Sequence, residues 1–168
     1  MNLTPFFESA YASAIGRRKL GFLLRKGIPF NGPHKFKVDD IKPGFVACTA
    51  PFIRKNKNHL GGIHACCLAT VSELSCGIAL LSCLDAKKYR LIMQNMEVSY
   101  HYQAKTAVHT HFEIPLEKLE AEVIEPLKTQ DAVLVSFEVK CTDDHGNHIS
   151  TAWIKWQVKD WNEVRTKP

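Results

Sequence analysis

The sequence predicts an α+β domain in which a curved antiparallel sheet wraps one long central helix. Three observations lead there. Between Ile63 and Leu84 the chain is apolar or small throughout, with Glu73 its only charged side chain. Strand-like stretches precede this run and follow it. A helix that is apolar nearly all round must be enclosed by other elements, and a curved sheet can enclose it.

Taken in order, Thr4 to Ile15 reads as a short helix, with Thr4 as N-cap, Pro5 in its first turn and Glu8 near its positive end. Arg17 to Pro29 is a basic and apolar stretch expected to form a second short helix. Phe30 to His34 carries Gly32 and Pro33 and reads as a loop. Strand character begins near Lys35 and resumes after the Lys42-Pro43-Gly44 turn, over Phe45 to Ile53. Arg54 to Gly62 is polar and expected to be a loop, and His64 to Leu84 is the long helix. Further strands are expected over Tyr89 to Tyr102, Val108 to Ile114, Ala132 to Cys141 and Ile149 to Val158. Pro115 to Glu125 interrupts them, and Asp143 to Asn147 forms the turn of a hairpin. This order is that of the hotdog architecture. It divides a single domain, 1–168, into an N-terminal helical extension (1–34) and a hotdog core (35–160).

A chain of 168 residues can bury a core without metal or disulfide staples. The net charge of +5 is modest. Basic residues gather at Arg17, Arg18, Lys19, Arg25 and Lys26 and again at Arg54, Lys55 and Lys57. No nucleic-acid-binding signature accompanies them, so nucleic acid is not the expected partner. No two of the six cysteines have C-x-x-C spacing, and no signal peptide is legible, so a reduced, cytoplasmic setting is expected. The apolar run approaches the length of a membrane span. Its serines, Gly77 and Glu73, and its place between strands, predict a buried core helix instead. His109 with His111, and His145 with His148, are possible metal pairs without a third ligand. No metal is expected.

The residues that point to chemistry are Asn58, Gly61, His64, Ala65 and Glu73. A glycine-bearing loop delivers His64 to a helix start, where backbone N–H groups lack intrahelical partners and can hold an oxyanion. Asn58 can orient a group nearby. Glu73, in an apolar setting, is a candidate base or nucleophile whose pKa should rise. The helical neighbours of Glu73 are mostly small, which leaves either a slot for a ligand or close packing of helix on sheet. His64 and Glu73 are nine residues apart, hence on opposite helix faces and about 13 Å apart along the axis. One chain alone should not bring them to the same carbonyl.

The spacing of Asn58, Gly61, His64, Ala65-Cys66 and Glu73 resembles the PaaI-type hotdog acyl-CoA thioesterases over roughly residues 35–160. It is closest to a branch with Ile-His-Ala and a helix Glu. The resemblance implies an acyl-thioester hydrolase without bound cofactor, taking acyl-CoA as substrate or ligand. It also implies a homodimer joined sheet edge to sheet edge, with a dimer of dimers left open, and sites shared between two subunits. The Ala65 N–H would meet the acyl carbonyl, Asn58, Gly61 and His64 would position it, and Glu73 would activate water or attack directly. There are three departures: Ala65 replaces a Gly, Glu73 replaces an Asp, and Met93 stands where some relatives carry Ser or Thr. Asn95, two residues on, is expected to share the face of Met93 and substitute for it. A non-catalytic acyl-CoA binding protein is the second reading. A hydroxyacyl-thioester dehydratase is the third, disfavoured because the loop lacks His-Phe-Pro-Gly.

Overall fold

The computed structural model describes residues 4–164. Its N-terminal part contains α1 (Thr4–Ala12) and α2 (Ala14–Gly27), followed by a 3-10 turn at Pro29–His34. The first expected helix is interrupted because Ser13 is extended and its Oγ accepts the Gly16 N–H at 3.0 Å, which caps α2. Apolar side chains of the pair, Phe7, Ala10 and Leu20, join the core built around the central helix.

Six strands form one antiparallel sheet: β1 (Lys37–Lys42), β2 (Phe45–Ala50), β3 (Tyr89–Tyr100), β4 (Val108–Glu113), β5 (Ala132–Asp143) and β6 (His148–Asp160). Their order is β1-β2-β4-β5-β6-β3. A two-residue Pro43-Gly44 connection joins β1 to β2, pairing Lys42 with Phe45. The β5–β6 hairpin is set by Asp143, whose Oδ1 accepts the N–H groups of His145 and Asn147. Along β5, Val133, Val135, Phe137 and Val139 are buried while the residues between them face outward.

The central helix α3 (Ala65–Cys83) lies across the concave face, packed on β2, β4, β5 and β6. Leu68, Val71, Ile78 and Leu80 enter the core. By length and composition α3 could cross a membrane, with a mean hydropathy of 1.7, yet 56% of that stretch is buried within the domain. The sheet supplies the apolar surroundings that its sequence requires. This is the hotdog fold.

Two expectations about cysteine and histidine resolve as packing. Burial pushes the thiols of Cys67 and Cys76 up to about 12, so they behave as small hydrophobes. His109 bridges Thr49 at 2.8 Å and Asp144 at 2.7 Å, while His148 meets Thr151 at 2.9 Å. Among the described residues no three His, Cys, Asp or Glu side chains converge as a metal ion would need.

Candidate active site at the start of the central helix

The loop between β2 and α3 is held by a residue that sequence patterns did not single out. Asn56 is fully buried. Its Nδ2 donates to the carbonyls of His34 and Pro51 at 3.0 and 2.9 Å, and its Oδ1 meets His34 Nδ1 at 2.9 Å. A polar loop residue is ordinarily solvated, and nothing local in the sequence marks Asn56 as a clamp between the two segments.

From there the loop turns back on itself. Asn58 Oδ1 accepts the N–H groups of Leu60 and Gly62 at 3.0 and 3.1 Å. Gly61 has a φ of +79°, where a side chain would be strained. Gly62 is pressed against β4's approach segment: a Cβ there would come within 2.8 Å of Gln103 and 3.1 Å of the Ala104 carbonyl. Ile63 N–H donates to that same Ala104 carbonyl, and His64 N–H to the Asn56 carbonyl. The chain thus enters α3 with a fixed orientation.

His64 is the N-cap of α3, and its Nδ1 accepts the Cys66 N–H at 3.0 Å. A neutral ring in this position carries its proton on Nε2, which leaves an exposed donor. The N–H groups of Cys67 and Leu68 both reach the His64 carbonyl. Of these first amides, Ala65 N–H is the one without an acceptor among the described residues. Ala65 itself lines a cleft of about 320 Å³ whose walls include Asn58, Leu68, Tyr100 and His101. Tyr100 donates its hydroxyl to the Ala65 carbonyl at 3.2 Å. It is a second site residue that the sequence reading missed, although its inward place in β3 follows from pairing with Ser150.

Glu73 sits two and a half turns further along α3, on the stripe that includes Cys66, Ala69, Thr70 and Gly77 and is left partly open by the sheet. No cation or hydrogen-bond donor meets its carboxylate among the described residues. Desolvation therefore raises its pKa above the ordinary carboxylate range. Its Oε1 lies beside Gly77, 3.9 Å from where a Cβ would stand, and the Trp156 ring lies 3.2 Å from the same point. The indole N–H of Trp156 points to Cys76 Sγ at 3.1 Å. The expected slot is therefore smaller than the composition implied. The indole crowds the space over the partly exposed Gly77, and Cys76 and Leu80 are wholly buried, which leaves Cys66, Ala69, Thr70 and part of Gly77 beside open space.

The profile of a family described as a domain of unknown function, DUF4442, matches residues 16–158 of this sequence. The chain belongs to the DUF4442 family. No curated protein matches it at the sequence level. Solved structures similar in fold include a Pseudomonas aeruginosa protein of unknown function described as a probable thioesterase. It is 24% identical, with a TM-score of 0.74 over 85% of this chain and 95% of that one. A Haemophilus influenzae thioesterase is 9% identical, with a TM-score of 0.69 over 94% and 99% of the two chains. A Staphylococcus aureus thioesterase is 17% identical, with a TM-score of 0.63 over 78% and 98%.

Within this DUF4442 chain the expected site residues separate into two groups. Asn58, Gly61, His64 and Ala65 gather at the loop and helix start, as the sequence implies. Glu73 lies about 13 Å further along the helix axis than His64. Asn95 requires a correction. A bulge at Gln94 shifts the register, so Met93 opposes Trp156 while Asn95 opposes Lys155. Met93 therefore shares the concave face with Trp156, and Asn95 shares the exposed outer face of Lys155. Simple alternation over two residues fails because the bulge inserts one more.

Proposed function

We propose that this chain hydrolyses acyl thioesters, with acyl-CoA as the substrate class, as a PaaI-like homodimer whose sites are shared between subunits. The observation that carries the reading is Glu73: a desolvated carboxylate without a partner among the described residues, on the open stripe of an otherwise buried helix. Such a group is costly to keep without a role. Desolvation raises its pKa, the direction that makes a carboxylate a stronger base.

The Ala65 N–H, without an acceptor among the described residues and at the positive end of a 19-residue helix, would supply the second requirement, a donor for the developing oxyanion. His64 Nε2–H and the Asn58 amide nitrogen add donors beside it, since Asn58 Oδ1 and His64 Nδ1 already serve the loop. The carbonyl would be held at the helix start, and Glu73 of a second subunit would remove a proton from water as it attacks. The tetrahedral intermediate then collapses with the thiolate leaving, and the sulfur takes up the proton that Glu73 removed from water, which returns Glu73 to its carboxylate.

Strand β3 supports the dimer. It is an outermost strand, paired among the described residues with β6 alone, and it exposes Ile92, Met93 and Tyr100 at 48, 41 and 49%. An edge of twelve residues with such side chains invites pairing with a second copy. A binding protein without turnover is a second reading, favoured by Met93. The concave position opposite Trp156 carries a thioether, and Asn95 is turned away, so neither side chain can hold water there. A panel of acyl-CoAs followed for thiol release tests the choice. Release that is lost in Glu73→Gln supports hydrolysis. Tight binding of acyl-CoA without release supports the second reading and contradicts the first.

A further inference from the structure

We propose that the outer face of α2 docks on the surface of an anionic lipid bilayer. From Ser9 to Val38 the sequence carries seven Lys and Arg and no Asp or Glu, so this one segment more than accounts for the net charge of +5. The other residues together sum to −2, since 22 − 7 leaves 15 basic residues against 17 acidic ones. The basic character of the protein is thus a local property of residues 9–38, and five of the seven cations stand on α2.

The segment also carries large apolar side chains on its outside. Ile15 and Phe22 are 65 and 56% exposed, and Phe30, just beyond α2, is 65% exposed. At about 100° per residue, Ile15, Arg18, Lys19, Phe22 and Lys26 share one face of α2. Gly16, Leu20 and Leu24 lie on the opposite face and are buried. The outward stripe therefore interleaves two large apolar side chains with three cations. Lys26 Nζ stands 5.9 Å from the centre of the Phe22 ring.

The other arginines of the helix are engaged with the protein. Arg17 lies 3.8 Å from Asp40, and Arg25 donates to the Phe36 carbonyl at 3.1 Å. Arg18, Lys19 and Lys26 are the exposed cations, and they flank the exposed Phe22. A soluble acidic partner would explain the charges alone. Apolar side chains set between cations fit a bilayer, whose headgroups take the charges while its acyl boundary takes the rings. The helix would lie in the interface plane, packed to the domain through its inner face.

The test is cosedimentation of the full chain with phosphatidylcholine vesicles and with vesicles containing about a third phosphatidylserine. Binding to the second only, weakened by salt, is expected. Ile15→Ser with Phe22→Ser, and separately Arg18→Glu with Lys19→Glu, should each reduce it at least about tenfold. These side chains are exposed, so the variants should fold, and thermal unfolding checks that. Phe22→Trp should show a blue-shifted emission change on adding the anionic vesicles. Absence of binding at low salt, or binding unchanged by the paired serine substitutions, would overturn the proposal. So would an unshifted Phe22→Trp spectrum. If the serine variant instead changes only the oligomeric mass, the face is a contact between copies of this chain, and the membrane assignment is wrong.

Discussion

No cation meets the Glu73 carboxylate among the described residues, so desolvation makes its charged form the less favoured one in the folded chain. Catalysis and stability feel this in opposite senses. As a general base Glu73 must be ionised, so turnover should rise with pH along a limb placed above the ordinary carboxylate range. Glu73→Gln should lower kcat by about 10²–10⁴ while acyl-CoA binding persists. For stability the sign is reversed. A raised folded pKa means the carboxyl favours the fold while protonated, and that advantage is lost as pH rises through the folded value. Glu73→Gln should therefore melt above the wild type near pH 7, with the two converging in acid. A glutamine variant that melts lower at neutral pH would show that Glu73 has a stabilising partner. At the neighbouring position, Gly77 is set by the Trp156 indole. Gly77→Leu should destabilise by about 1–3 kcal/mol through overpacking, read by thermal unfolding, whatever acyl chain is bound.

Among the elements, the loop before α3 is the one whose geometry the site depends on. Asn56→Ala would leave two partly buried carbonyls and a ring nitrogen without their partner. It should cost about 2–3 kcal/mol and impair turnover, although Asn56 is fully buried and not among the residues lining the cleft. A variant with normal stability would remove Asn56 as the clamp. The elements themselves were legible where periodicity was strong. The α3 run and the alternation of β5 each stand within a residue or two of their expected bounds. The break at Ser13 was not legible, because a serine inside an apolar run is an ordinary helix residue unless its Oγ is seen to cap a second helix. The bulge at Gln94 left no mark either, since it depends on pairing with β6, and it alone decides that Asn95 faces outward. Of the site, the loop and helix start could be read from the glycines and the N-cap histidine. Asn56 and Tyr100 could not, because their partners, His34 and Ala65, are distant in sequence.

On the scale of the whole molecule, the fold separates the two halves of the proposed chemistry. One chain presents the Ala65 N–H at one end of the open face of α3 and Glu73 further along it. The unpaired edge of β3 offers the route by which a second copy would bring its own Glu73 opposite. Mixing two inactive variants tests this most directly. One is Glu73→Gln. The other combines Asn58→Asp with His64→Asp, which retain the acceptors that hold the loop and cap the helix while removing the donors offered to the carbonyl. After random subunit exchange, half the dimers are mixed and each has one intact site. The account predicts thiol release from acyl-CoA at about a quarter of the wild-type rate, where neither variant alone shows it. Mixed dimers that form but stay inactive, or an active monomer, would contradict it.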